Sequence, residues 1–279
     1  MSSSRESGAQ AAAGWKPRRV IDLAVADPEL FEGPAGSTAV RQAPVPPVEE
    51  LIVRQGEWDW SADARAGIGL LVLDGFLLRR VELAERRSVE LLGPGDLLRP
   101  FEVDFDLYAM VPSETSWSAL SLTRLAVLDA RFTRWLADQP LGVDQLLSRV
   151  LRRSRTLTLR LALAKLPRLS ARLHFLLWHL ADRFGRQTTT GILLKLPLSH
   201  DVLADLVSAQ RPSVSSAMKD LERCGLLTPL KGEGWRLNGQ PPTVETARLP
   251  HPARRVLEDP STVRRPVDAI DLAHVLRHS

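Results

Sequence analysis

The chain has 279 residues, 44% of them hydrophobic and 25% charged, a globular balance long enough for two domains at ~100–200 residues each. Its one cysteine, Cys224, excludes an internal disulfide and a Cys-only metal or iron–sulfur site within one chain, and is compatible with a reducing compartment. The net charge is only +4, yet sixteen Lys/Arg against six Asp/Glu between Arg149 and Gln240 place +10 there and leave −6 for the remainder; a basic module on an acidic body is a footprint for a polyanion.

Met1 to Arg19 contains no apolar core of a secretory signal. The longest apolar run, Ile68 to Leu78, is interrupted by Asp74 and is too short for a bilayer. The expectation is a cytoplasmic protein with no membrane partner. Residues 1–47, rich in Ser, Ala, Gly and Pro, read as a partly disordered extension in which Val20 to Val25 can pack as a short element.

Residues 48–140 read as a small β-roll or barrel of short strands separated by turns. Ile68, Leu70, Val72, Phe76 and Leu78 alternate around Asp74-Gly75, a hairpin signal. Gly93-Pro94-Gly95-Asp96 is a further turn, and helical spacing begins at Ala130. Over 141–167, Val143, Leu147, Val150, Ser154, Leu157, Leu161 and Ala164 recur at alternating four- and three-residue intervals, the period of a coiled-coil seam, until Pro167. Such a seam predicts a homodimer.

Residues 168–240 carry the most specific pattern. Leu169 to Phe184 is a helix with Leu173, Leu176, Leu177 and Leu180 on one face, and Ile192, Leu194 and Leu196 alternate as a strand. Ser199 caps a helix whose Leu203, Leu206 and Val207 face inward; a three-residue turn leads to Arg211–Arg223, with Pro212 suited to its first turn. Val214, Ala217, Met218 and Leu221 form the inner face of that second helix, and Arg211, Ser215, Ser216, Lys219 and Arg223 the outer one. Gly225 ends it, and two short strands around Lys231-Gly-Glu-Gly234 form a wing. This is helix-turn-helix logic, in which the second helix enters the major groove. Candidate DNA contacts are Ser199, Arg211, Ser213, Ser215, Ser216, Lys219, Arg223 and Lys231. Arg211 is the candidate for bidentate contact with guanine, and Lys219 and Arg223 for phosphates. Residues 241–279 form a Pro-rich, charged tail in which Val267 to Leu276 can form a short helix.

From Leu51 to Leu237, and most specifically in Leu198-Ser-His-Asp-Val-Leu-Ala-Asp-Leu-Val and Arg211-Pro-Ser-Val-Ser-Ser-Ala-Met-Lys-Asp-Leu-Glu-Arg-Cys-Gly-Leu-Leu227, the sequence resembles the Crp/Fnr family of bacterial transcription regulators. Val89-Glu-Leu-Leu-Gly-Pro-Gly-Asp-Leu-Leu98 is similar to the turn before that family's phosphate-binding cassette. The resemblance implies an α+β fold: an N-terminal cyclic-nucleotide-binding-like β-roll, a long dimerisation helix and a C-terminal winged helix-turn-helix. It also implies a dimer bound to near-palindromic double-stranded operator DNA, with RNA polymerase as a further partner.

Two departures shape the expectation. Where many members have Arg-Glu-Thr-Val-Ser-Arg, this chain has Arg211-Pro-Ser-Val-Ser-Ser216, so its operator differs from the family's best-known one. Where the cyclic phosphate would meet an Arg, the chain places Glu114-Thr115, which argues against cyclic AMP and leaves the small-molecule effector unidentified. Arg99, Glu102 and Thr115 are the effector-site candidates. The alternative reading is a cyclic-nucleotide-responsive regulator, or a signalling protein whose winged helix meets proteins. All six histidines follow the β-roll, so neither a metal or other cofactor nor an enzymatic reaction is expected there.

Overall fold

The computed structural model describes residues 19–31, 44–61, 67–84, 86–100, 113–232 and 234–243. The alternating segments of the first half form two antiparallel sheets. In the first, β1 (Arg19–Ile21), β2 (Val48–Val53), β9 (Thr123–Asp129), β4 (Gly67–Asp74) and β7 (Leu97–Leu98) lie side by side in that order. The second has the order β3 (Gly56–Glu57), β8 (Glu114–Ala119), β5 (Leu77–Leu83) and β6 (Arg86–Leu92). Leu70, Val72, Leu125 and Val127 of one sheet share a core with Leu77, Leu92, Trp117 and Ala119 of the other, each large side chain contributing roughly 1.5–3 kcal/mol by leaving water.

The Asp74-Gly75 turn does not make the expected hairpin. β4 pairs with β7 and β9, whereas β5 pairs with β6 and β8. The turn carries the chain from one sheet to the other. Gly75 has φ +83° there, and a Cβ on it would lie 2.5 Å from the Leu122 carbonyl oxygen, so the close crossing requires glycine. The true hairpin joins β5 to β6 at Ala84, which adopts φ +45° without a turn-forming sequence.

Part of the segment expected to be an extension belongs to the core. α1 (Leu23–Ala26) is capped by Asp22, which accepts from the Ala24 amide, and a 3-10 turn follows at Pro28–Phe31. Leu23 and Leu30 are fully buried with Phe132, Leu136 and Leu146. The rest of the N-terminal extension and the expected helix at Val267 to Leu276 lie outside the described residues.

α2 (Ala130–Ala137) begins where Asp129 accepts the Phe132 amide at 2.9 Å. α3 (Pro140–Ala164) follows, with proline in its first turn. Arg149 points inward, only 4% exposed, and makes a bidentate pair with Asp27 at 2.5 and 2.8 Å. One turn later Arg153 holds Glu90 of β6 at 2.5 and 2.7 Å and donates to the Leu97 carbonyl at 3.2 Å. Val143, Leu147, Val150, Leu157 and Leu161 are exposed.

The remaining elements are α4 (Leu169–Phe184), β10 (Arg186–Thr188), β11 (Gly191–Leu194), α5 (His200–Leu206), α6 (Arg211–Arg223), β12 (Leu227–Pro229) and β13 (Trp235–Leu237). The expected strand ends at Leu194 rather than Leu196. The wing strands β12 and β13 join a sheet of order β10-β11-β13-β12. β10 is Arg-Gln-Thr, all exposed, and so carries no apolar alternation to announce it.

Leu78, Val89 and Leu91, from the face of β5 and β6 turned away from the β-roll core, belong to the same apolar core as α4, α5 and α6. Polar contacts reinforce this junction. Arg183 of α4 pairs with the buried Asp96 at 2.7 Å, Asp96 also accepts the Gly93 amide at 2.8 Å, and Phe76 meets Phe184 edge-on at 5.2 Å. Met1–Gly239 accordingly forms one compact unit, and Gln240–Ser279 a second, described only to Thr243. Among the described residues no helix is long and apolar enough to cross a membrane.

Candidate nucleic-acid interface

α5 starts at Ser199, whose hydroxyl accepts the Val202 amide at 3.2 Å. Val202, Leu203, Ala204 and Leu206 are buried. Ser208 turns the chain with φ +53°, and the Ala209 amide donates to the Ala204 carbonyl at 2.9 Å. α6 spans the expected Arg211–Arg223, with Val214, Ala217, Met218 and Leu221 buried and proline in its first turn. Gln210 caps it without a side-chain hydrogen bond, so the first-turn amides have no side-chain acceptor from their cap and face the end where helix-dipole charge is positive.

The outer face of α6 is open. Arg211 is 67% exposed, with its Nε 3.5 Å from an Asp201 carboxylate oxygen that is itself largely exposed. Ser213, Ser216, Lys219 and Arg223 are exposed, and Arg223 pairs with Asp220 one turn back. Ser216, Lys219 and Arg223 border one hollow of about 390 Å³ along the helix. Lys231 is exposed between the wing strands. Behind it the wing is braced: Asn238 donates to the Gly225 carbonyl at 2.9 Å and to Thr228 at 3.0 Å, and Arg236 donates to Asn238 and Thr228.

Three expected contact residues have hydroxyls already engaged. Ser199 serves as the cap of α5. Ser216 donates to the Pro212 carbonyl at 3.2 Å. Ser215 is half-buried and hydrogen-bonds the His200 ring at 2.9 Å. His200 and Asp201 were missed from the sequence. Both stand in the first turn of α5 directly after the cap, and from there each reaches an outer-face residue of α6.

The effector candidates are dispersed. Arg99 is exposed just after β7 of one sheet, Thr115 is half-buried in β8 of the other, and Glu102 lies outside the described residues. Glu114 is exposed and stands directly across from Glu82 in the β5–β8 register, a like-charge pair that disfavours an anion there. Between β6 and α3, the Arg153 cation is already matched by Glu90. Among the described residues no group of three or more His, Cys, Asp or Glu could hold a metal ion.

Residues 171–238 match the Crp-like helix-turn-helix domain. A stretch of 148 residues is 27% identical to the "CRP-like cAMP-activated global transcriptional regulator" of Mycobacterium tuberculosis (strain H37Rv), covering 53% of this chain and 64% of that protein. The chain thus carries a segment similar to the Crp-like helix-turn-helix domain. It spans less than two thirds of the length of that curated relative. The fold agrees with solved structures: a doubly substituted CooA from Carboxydothermus hydrogenoformans matches with TM-score 0.51 at 16% identity, over 68% of this chain and 83% of that one. FixK2 from Bradyrhizobium japonicum matches with TM-score 0.50 at 16% identity, over 68% and 92%. The α+β architecture expected of the family is therefore present, with β-roll, long helix and winged helix-turn-helix in the expected order.

Proposed function

We propose that this protein is a transcription regulator that binds operator DNA as a homodimer and reads it with α6, without enzymatic activity of its own. The observation that carries this reading is the open face of α6, where Arg211, Ser213, Lys219 and Arg223 stand exposed on a helix whose opposite side is buried. In this reading residues 48–140 receive a signal, 141–167 join two copies, and 168–240 meet the DNA. The cytoplasm is the compartment where such a protein meets its operator. Arg211 contacts a base; Lys219, Arg223 and Lys231 contact phosphates; Ser213 supplies a free hydroxyl near the helix N-terminus.

The dimer rests on the apolar stripe of α3. Val143, Leu147, Val150, Leu157 and Leu161 are 39–69% exposed at seam spacing, an arrangement that a second copy of the same helix covers. The input is not cyclic AMP. The mycobacterial relative is cAMP-activated by name, but Glu114 opposite Glu82 repels a phosphate, and no cation among the expected candidates compensates.

Operator selection from a random DNA pool tests the reading. The wild-type protein should enrich a two-fold symmetric site. Arg211→Ala should lose preference at one symmetric base pair, by about 1–3 kcal/mol, while keeping nonspecific affinity. An unchanged selected motif removes Arg211 as the base reader, and no enrichment by the wild type removes the DNA-binding assignment. Cyclic AMP and cyclic GMP should leave the melting temperature unchanged; a robust rise would restore the cyclic-nucleotide reading.

A further inference from the structure

The carbonyls at the end of α5 are satisfied in two ways. Leu203 and Asp205 accept the Val207 and Ser208 amides at 3.1 and 3.4 Å, and Ala204 accepts the Ala209 amide at 2.9 Å. The next two carbonyls accept from guanidiniums. Arg160 of α3 donates to Leu206 at 3.3 Å, and Arg172 of α4 reaches Val207 at 3.5 Å. We propose that Arg160 is a positioning residue for operator recognition: it ties the C-terminal end of α5 to α3 and, with Arg172, sets how α6 is presented to DNA. This role rests on the DNA-binding reading above.

Three observations support the tie. The last carbonyls of a helix have no partner within it and lie at the negative end of its dipole, where cations are favourable. The two arginines also straddle the joint between α3 and α4. α3 ends at Ala164 and α4 begins at Leu169, so Arg160 stands before the joint and Arg172 after it. Within the joint, the Leu166 carbonyl accepts from Arg172 Nε at 2.6 Å. A joint bridged from both sides cannot bend without breaking a bond to the end of α5. Finally, Arg160 is poorly served as a stabilising residue. Its Nε is buried with no acceptor among the described residues. Burial lowers its pKa, and Glu90 of β6 opposes the shift. A cation removed from water with an N–H unmade costs stability, so its contribution lies in where it holds Leu206.

The position of that bond gives it consequence. Arg160 directly precedes Leu161 of the apolar stripe. In a dimer joined through that stripe, any rotation of α3 moves the group that holds α5. Beyond Val207 the chain turns at Ser208 with φ +53°, a left-handed conformation uncommon for serine. α6 then begins at Arg211. Across so short a turn, the end of α5 fixes the start of α6 and with it the aim of Arg211.

The test uses the full chain with Arg160→Met, which removes charge and donors, and Arg160→Lys, which keeps a charge and a donor. Amide exchange followed by mass spectrometry should accelerate about tenfold over residues 203–210 in Arg160→Met, with the wing at residues 225–238 unchanged. A general loss of stability would accelerate both. Affinity for the operator selected by the wild type should fall about tenfold, while affinity for unrelated DNA changes less than about twofold. Arg160→Lys should recover most of both losses. Unchanged exchange over 203–210, or equal acceleration of the wing, overturns the tie. Faster exchange with unchanged operator preference overturns its role in recognition. If Arg160→Met does not fold, Arg160→Gln decides by the same two readings. Exchange is read without DNA, so the two failures are distinguishable: a wild type that selects no operator overturns the DNA assignment, and the tie to α5 is judged by exchange.

Discussion

In α6 the apolar side chains Val214, Ala217, Met218 and Leu221 face inward and the cations face out. In α3 the order is reversed over the seam: Arg149 and Arg153 face the β-roll, while Val143, Leu147, Val150, Leu157 and Leu161 face outward. The first helix is complete as a folded surface and offers its charges to a polyanion. The second is incomplete in a single copy, because its apolar stripe remains in water. The ion pairs on its inner side, together with the buried Leu146, hold it on the β-roll and leave the seam residues exposed. The same residue type thus stands in opposite settings: arginine is exposed outside α6, where the proposed function uses it for recognition, and paired inside α3, where it anchors the helix.

The largest test of this contrast is at the anchor. Arg149→Ala leaves Asp27, 12% exposed, without its cation and should cost about 3–5 kcal/mol in chemical denaturation; a cost below half of one would mean that α3 is held by something else. Next is the seam. Leu147→Lys should convert a species of two 30.9 kDa chains into a single one by light scattering, because a charge at the centre of an apolar seam is desolvated without a partner. An unchanged mass would place the dimer contact elsewhere. On α6, Lys219→Ala should weaken binding to all DNA sequences alike and flatten the slope of log affinity against log salt by about 1. Ser216→Ala should change operator affinity by less than about 0.5 kcal/mol, since its hydroxyl already serves the Pro212 carbonyl; a larger loss would show that the hydroxyl turns to the DNA.

The smallest effect concerns pH. Burial lowers the pKa of His179 below its ordinary 6.5, with Arg183 and Arg160 adding to the shift and Asp182 opposing it. Because the folded state disfavours the charged ring, stability should be fully present above pH 6.5 and decline as pH falls from that value through the depressed folded one. His179→Gln should flatten this decline in thermal melts, and an identical pH profile would assign it to other groups.

Much of the winged helix was legible because its determinants are local. Ser199 caps α5 through an amide three residues away, Pro212 fits a first turn, and the inward residues of α6 follow helical spacing. The helix of α3 and its apolar stripe were legible for the same reason. The Asp74-Gly75 turn was misread because a tight turn between alternating strands has the same local signature whether the strands pair or part; Leu122, far along the chain, makes the crossing close. The β5–β6 hairpin escaped notice because its turn uses Ala84.

The sequence by itself determined the fold family, the two helices of the helix-turn-helix and the side of α6 that carries charge. Helical periodicity and capping act over three or four residues, and one strand of text contains them. Only the tertiary structure decided that Arg149 and Arg153 point inward, since their partners Asp27 and Glu90 are 122 and 63 residues away. It alone decided that the outer face of β5 and β6 joins the core of the winged helix. Packing between distant segments sets those contacts, and no spacing rule along the chain encodes them.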